Sequence, residues 1–390
     1  MRFAVVAGPD PGHVFPAMAL CRKIQLAGDD AILYTGRRWL DHAASFGLDA
    51  RELLGLDLPF GADDSDLGRR IHERAATMST AMLRELNQAM PDLVVSDVIT
   101  VAGGLTAERL GIPWVELSPH PLYLPSRGLP PLGSGLAPGT GLTGRARDTV
   151  LRALVARDRR RGAAQRARVR ATIGLPEQDS GPRARLIATV PALEVDRPDW
   201  PSTAHLVGPL VWEPTSQELR VPQGEGPVVM VSPSTAGHGG AQGVVESVVE
   251  ALTPGDTQYR VLATLLGAQP PSLPEWVSAG AGNQDVALTH SDVLVCGGGH
   301  GTVVRALLAA VPLVVIPGGG DQTELAARVR RLGVGEVVRP RPDGSIDGAR
   351  VRQAIDTVLG DPKYRAAARA AAESAHRVED PVSVCRASAQ

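Results

Sequence analysis

Residues 291–329, SDVLVCGGGHGTVVRALLAAVPLVVIPGGGDQTELAARV, decide the architecture. A short unbroken apolar run ends in the glycine-rich turn 297–301. A helical segment follows, then a second apolar run that closes on Gly318, Gly319 and Gly320 with Asp321-Gln322 behind them. Unbroken apolar runs between Gly and Pro read as strands buried on both faces of a parallel sheet. Strand, turn, helix and strand in that order predict an α/β domain. Such a turn also suits an anion, because glycines let a ligand approach the backbone and the helix behind presents unpaired N–H groups. The effect is worth ~0.3–1 kcal/mol per charge at exposed sites and up to ~2 kcal/mol when partly buried. A diphosphate leaving group could use it without a metal; a tight turn holding no ligand is the plain alternative. The dinucleotide spacing GxGxxG fails, since Thr302 stands where a third glycine would follow Gly297 and Gly299, and there is no Walker GxxxxGK.

Outward from that stretch the same grammar repeats. RFAVVAG at the amino end, AILYT (31–35), PDLVVSD (91–97) and IPWVELS (112–118) read as strands. Helices are expected over 14–27, with Pro16 in the first turn and Gly28 as stop, and over 100–110. HLVGPLVWEPTSQELRVPQGEGP (205–227) has no periodicity and reads as linker. GPVVMVSPSTAG (226–237) restarts the pattern, with strands at YRVLAT, SDVLVC and PLVVIP and helices near 301–310, 321–332 and 346–359. A chain of 390 residues, at ~100–200 per domain, holds two domains. The expected division is 1–207, linker 208–226, 227–362, and a terminal helix and tail over 363–390. Two facing α/β domains place a ligand cleft at the carboxyl ends of their strands.

Composition narrows the function. With 43% hydrophobic and 21% charged residues and net charge -2, neither disorder nor a globally basic nucleic-acid binder fits. At 3% aromatic, the stacking platforms of single-strand binders are not expected either. Cys21, Cys296 and Cys385 offer neither a disulfide framework nor a CxxC metal pair. A reducing, cytoplasmic setting is the expectation, since the opening apolar run is too short for a signal segment.

The donor-side stretch resembles the signature of the UDP-glycosyltransferase-like enzymes of the GT-B fold, roughly H-G-G-x-G-T, an apolar strand, then P-x-x-x-D-Q. Gly298, Gly299, Gly301, Thr302, Pro317, Asp321 and Gln322 match it. The resemblance implies that the Gly-Thr turn, His300 included, holds a donor diphosphate, and that Asp321 and Gln322 bind sugar hydroxyls. Asn283-Gln284 and His290 fall where the family has P-Q and a His. Val207-Gly208-Pro209 and the loop with Ser232, Ser234 and Thr235 fall at its V-G-P and diphosphate-contacting loop. In the first half GPDPGHVFPAMAL (8–20) resembles G-H-x-x-P-x-L. That makes His13 the expected general base on the acceptor hydroxyl and Asp97, at a strand end, the carboxylate that orients it. A carboxylate on one ring nitrogen fixes the tautomer and stabilises the imidazolium. GHVFPAMAL is also similar, more weakly, to the peptidoglycan N-acetylglucosaminyltransferase, whose sugar motif is absent here. The sequence departs from the family pattern at Gly297 for a phosphate-binding His, Arg305 for a ribose-contacting Glu and Leu325 for an Asn. His300 or Arg305 is a candidate source of replacement charge.

The acceptor side is expected in the Pro-rich stretch 118–139, with Gly12, Tyr123 and Leu124 as contacts. Residues 145–170 hold ten Arg against Asp148 and Asp158. They read as a solvated helix beside the acceptor cleft or as a surface that docks an anionic membrane or acidic acceptor. Asp64-Ser65-Asp66 reads as a solvated acidic loop and Cys296 as a buried strand end; no metal site is expected. The implied reaction is inverting, metal-independent sugar transfer from a nucleoside diphosphate sugar to a small-molecule or lipid hydroxyl, with the donor as co-substrate and no cofactor. A scaffold that binds or regulates without transfer, and a nucleotide-sugar epimerase, are the alternatives.

Overall fold

The computed structural model describes residues 1–56, 67–233, 241–253, 259–265 and 273–390. Among them two parallel sheets form. The first contains β1 (Arg2–Val6), β2 (Asp30–Thr35), β3 (Asp49–Glu52), β4 (Leu93–Asp97), β5 (Trp114–Ser118), β6 (Arg185–Ile187) and β7 (Ala204–Leu206). Their order is β3-β2-β1-β4-β5-β6-β7. The second contains β8 (Val228–Ser232), β9 (Arg260–Thr264), β10 (Val277–Gly280), β11 (Val293–Cys296), β12 (Leu313–Val315) and β13 (Gly335–Val337), in the order β10-β9-β8-β11-β12-β13. The central strands are buried end to end, as their unbroken apolar runs require. Each sheet reverses its direction of growth once, between β1 and β4 and between β8 and β11. A crevice opens at such a switch point, outside the carboxyl ends of the strands.

Two local outcomes differ from the sequence reading, at the first helix and at the carboxyl end, and the basic segment is the expected helix in a longer form. The first helix runs Pro11–Leu26, not from residue 14, because Asp10 takes the extended N-cap position and Pro11 supplies a pre-set first turn. His13 is therefore inside that first turn. The basic segment is one long helix, Gly141–Thr172. The carboxyl end is not one helix and a tail but two helices, Pro362–Ser374 and Pro381–Ala389. Asp361 and Asp380 each accept an N-cap hydrogen bond and each precedes a proline, so the segment has two start signals. The first helix buries Ala368 and Ala371 in the second half. The second returns to the first half, where Val382, Val384 and Cys385 share a core with Phe3, Val5 and Val115.

The chain crosses between the halves at one more place. The turn Pro191–Leu193 sits between β6 and β7, yet Val190 and Leu193 are buried in the core of the second half. Arg328 fixes that crossing by donating to the Leu193 carbonyl at 2.6 Å, with Glu194 at 3.4 Å and Glu324 at 3.1 Å. These ties hold the two crevices face to face.

Candidate functional site

His13 and Asp97 flank the first crevice, one after β1 and the other closing β4. Register pairing sets Val6 beside Ser96, which brings the two strand ends level. His13 Nδ1–H donates to Asp97 Oδ1 at 2.7 Å. Asp97 is buried, and its second oxygen accepts from the Ile99 and Thr100 amides and the Thr100 hydroxyl at 3.1–3.2 Å. That collar leaves the carboxylate one orientation, so the imidazole carries its proton on Nδ1 and a lone pair on Nε2. Among the described residues Nε2 has no hydrogen-bond partner. Burial pulls the His13 pKa down. The hydrogen bond and charge of Asp97, with the charges of Asp10 and Asp321, outweigh it and hold the pKa above 6.5.

The opposite wall is the glycine turn after β11. Gly298 has φ +82°, and a Cβ there would lie 2.8 Å from Val315 Cγ1. Only glycine meets both demands. The turn feeds the helix His300–Leu308, whose first amides have no intrahelical acceptors. A cavity of about 390 Å³ separates this wall from the first half. Gly12, Phe15 and Trp39 line one side, and Gly299, His300, Gly301 and Thr302 the other. His300 Nε2 pairs with the Thr189 hydroxyl across the halves at 2.8 Å. Burial, aided by the charges of His120 and Arg328, pushes its pKa down to about 3. It is therefore neutral, and does not replace the family's positive charge.

Other expected residues divide between the cavity and the scaffold. Gln284 lines the cavity and donates to the Ser232 hydroxyl at 3.2 Å, while Ser232 itself is buried. Asn283 turns away: it caps the helix Gln284–Thr289, accepting from the Val286 amide and donating to the Thr215 carbonyl. Asp321 is exposed at the start of the helix Asp321–Leu332, close enough for its charge to raise His13. Gln322 is buried and accepts from the Gly318 amide at 2.8 Å, which braces the second glycine turn. Gly12, expected on the acceptor side, lines this cavity, because the helix starts early enough to carry it there. Leu124 packs into the small core around Leu122 and Ile187, whereas Tyr123 borders a separate groove. Ser234 and Thr235, like Asp64 and Asp66, lie outside the described residues.

Two of the three departures from the family pattern, Arg305 and Leu325, acquire structural reasons. Arg305 does not supply free charge, because Glu213 at 3.4 Å, Asp285 and the Trp212 carbonyl engage its guanidinium. Leu325 is fully buried in the core. Burial pushes the Cys296 thiol up to about 12, which leaves it inert at neutral pH.

Two groups of residues escaped the sequence reading. Phe15, Trp39, His42, Phe46 and Trp212 form an edge-packed chain of rings, successive centroids 4.9–5.8 Å apart. Phe15, Trp39, His42 and Trp212 line the cavity. Their contribution was invisible because they come from three separate segments. His120 is the second: it feels the charges of His13, Asp97 and Asp321, donates from Nδ1 to the Pro121 carbonyl at 2.8 Å, and stacks on Tyr123 at 4.4 Å. Burial lowers its pKa. A histidine two residues past the end of β5 was the available signal.

Residues 272–388 match the family described as erythromycin biosynthesis protein CIII-like, C-terminal domain. Over the whole chain, the 4'-demethylrebeccamycin synthase of Lentzea aerocolonigenes is 31% identical across 93% of both proteins. The chain belongs to the UDP-glycosyltransferase-like family of antibiotic glycosyltransferases. The glycosyltransferase of kitacinnamycin superposes with a TM-score of 0.72 at 22% identity, covering 99% of this chain and 97% of that one. The glycosyltransferase VinC, solved with dTDP, gives 0.71 at 19%, covering 100% and 99%. Both likenesses establish for this glycosyltransferase the GT-B fold of two parallel-sheet α/β domains. No helix among its described residues is long and apolar enough to cross a membrane.

Proposed function

We propose that the enzyme moves a sugar from a nucleoside diphosphate donor to a hydroxyl of a small natural-product acceptor, with inversion and with His13 as general base. The observation that carries this reading is the His13–Asp97 pair, next in the chain to Gly12, which lines a cavity whose far wall is a glycine turn and helix amino end. His13 Nε2 takes the acceptor proton as that oxygen bonds to the anomeric carbon, and the bond from that carbon to the diphosphate breaks on the opposite face. Asp97 steadies the imidazolium. The departing charge meets the amides of Gly301 and Thr302, pre-aimed donors of the kind that stabilise developing anions. Because those dipoles receive the charge, no metal or cofactor is required in this reading. Asp321, exposed at the start of its helix, and Gln284, in the cavity wall, are the proposed contacts for donor hydroxyls. VinC, of the same fold, binds dTDP, which makes thymidine diphosphate the first nucleotide to try.

A thermal-shift screen of nucleoside diphosphates tests the donor half. A ligand that binds only the folded state at ~100 times its Kd adds about 2.7 kcal/mol of apparent stability, which reads as a rise in Tm. A rise with thymidine or uridine diphosphate is expected. No shift with any nucleoside diphosphate would support a scaffold that has lost transfer. Conversion of a nucleotide sugar with no acceptor present would support an epimerase.

A further inference from the structure

A second groove, of about 880 Å³, lies between the loop carrying Tyr123 and the long helix Gly141–Thr172. Its floor is apolar: Pro130, Pro131 and Leu132 from the loop, Val155, Ala156 and Ala163 from the helix. Its rim is cationic. Arg152, Arg159 and Arg166 recur every seven residues, which keeps them on one face of a helix, and Arg160 joins them. Two of the four are engaged by the protein. Arg152 donates to the Leu129 carbonyl and the Thr149 hydroxyl, and Arg166 faces Asp179 at 3.6 Å. Arg159 and Arg160 have no hydrogen-bond or carboxylate partner among the described residues, and both are exposed beside the apolar floor. Tyr123 joins this groove to the candidate active site, since its ring stacks on His120, which lies within the field of His13.

We infer that the groove takes an apolar acceptor bearing an acidic group, a carboxylate or sulfonate, which Arg159 and Arg160 hold while the apolar body lies on the floor. The inference rests on the transfer reading and names the acceptor class for it. Guanidinium forks match planar acids in two-point contacts, and their alkyl stems extend the apolar surface. A lipid surface is the weaker candidate for these arginines. They border a concave groove, whereas the exposed Leu142 and Leu154 that would enter a bilayer do not line it.

Two fluorescent probes of one shape test the point: 8-anilinonaphthalene-1-sulfonate and its neutral counterpart N-phenyl-1-naphthylamine. The wild-type protein should bind the sulfonate about tenfold more tightly, as one charge-assisted contact of ~1.4 kcal/mol gives. In the double variant Arg159→Gln/Arg160→Gln that preference should vanish, with the neutral probe unaffected. Gly162→Leu should weaken both probes. A Cβ there meets nothing within 4 Å, and leucine favours a helix over glycine, so the variant stays folded while filling the groove. Equal binding of the two probes by the wild type, or equal losses for both in the double variant, would overturn the inference. So would sedimentation with phosphatidylglycerol vesicles that the arginine substitutions abolish, which would assign them to a membrane. The thermal shift by thymidine diphosphate, measured on the same proteins, reads the donor cavity separately. A missing shift beside an intact sulfonate preference would overturn sugar transfer while supporting the acid-binding groove; the reverse pattern would remove the groove alone.

Discussion

His13 stands under two opposed influences, burial against three carboxylates, and the carboxylates prevail. A general base must be neutral to act, so kcat/KM should rise with pH through a midpoint above 6.5, the ordinary histidine value. Asp97 supplies most of the upward influence. In Asp97→Asn the midpoint should move to lower pH and the plateau rate should fall by ~10²–10⁴, because the tautomer is no longer fixed. A pH–rate profile of both proteins checks this; an unmoved midpoint at an undiminished rate would remove Asp97 from the mechanism. The stability linkage has the opposite sense. A pKa raised by folding contributes stability fully below the unfolded value of about 6.5 and loses it as pH rises through the folded value. The ion pair therefore supports the fold where the base is inactive and stops doing so where it works. His300 behaves in the contrary way. Its folded pKa lies near 3, so protonation of the unfolded chain draws stability away as pH falls from 6.5 toward 3.

At the scale of elements, the glycine turn is the most exacting piece. Gly298→Ala must place a side chain at positive φ and against Val315, so a loss of about 1–3 kcal/mol in unfolding free energy is expected. Nucleotide binding should weaken with it, because the turn sets the first amides of the helix His300–Leu308. Chemical denaturation together with nucleotide titration measures both, and a variant unchanged in each would show that the turn is not under that constraint. This turn was legible in the sequence, as were β1, β4, β8 and β11, since long apolar runs ending in glycine admit few other readings. The three-residue strands β6, β7 and β13 were not, because, unlike the equally short β12 inside the apolar run PLVVIP, they lie in no apolar run long enough to read. Asn283 shows the same limit within the site. A capping asparagine and a ligand-binding asparagine look alike until the Val286 amide is seen to occupy it. Arg305 was misread for a related reason, because its partner Glu213 arrives from the linker.

For the whole molecule, the account places a base in one half and a leaving-group site in the other, held together by the Pro191–Leu193 crossing and the returning terminal helix. That division predicts that the two halves can be damaged independently. The decisive measurement is turnover of a nucleoside diphosphate sugar with acceptor by His13→Ala, alongside the affinity of the same variant for the nucleoside diphosphate. The account predicts a rate reduced by ~10²–10⁴ with nucleotide affinity unchanged. A variant that turns over at the wild-type rate would contradict it.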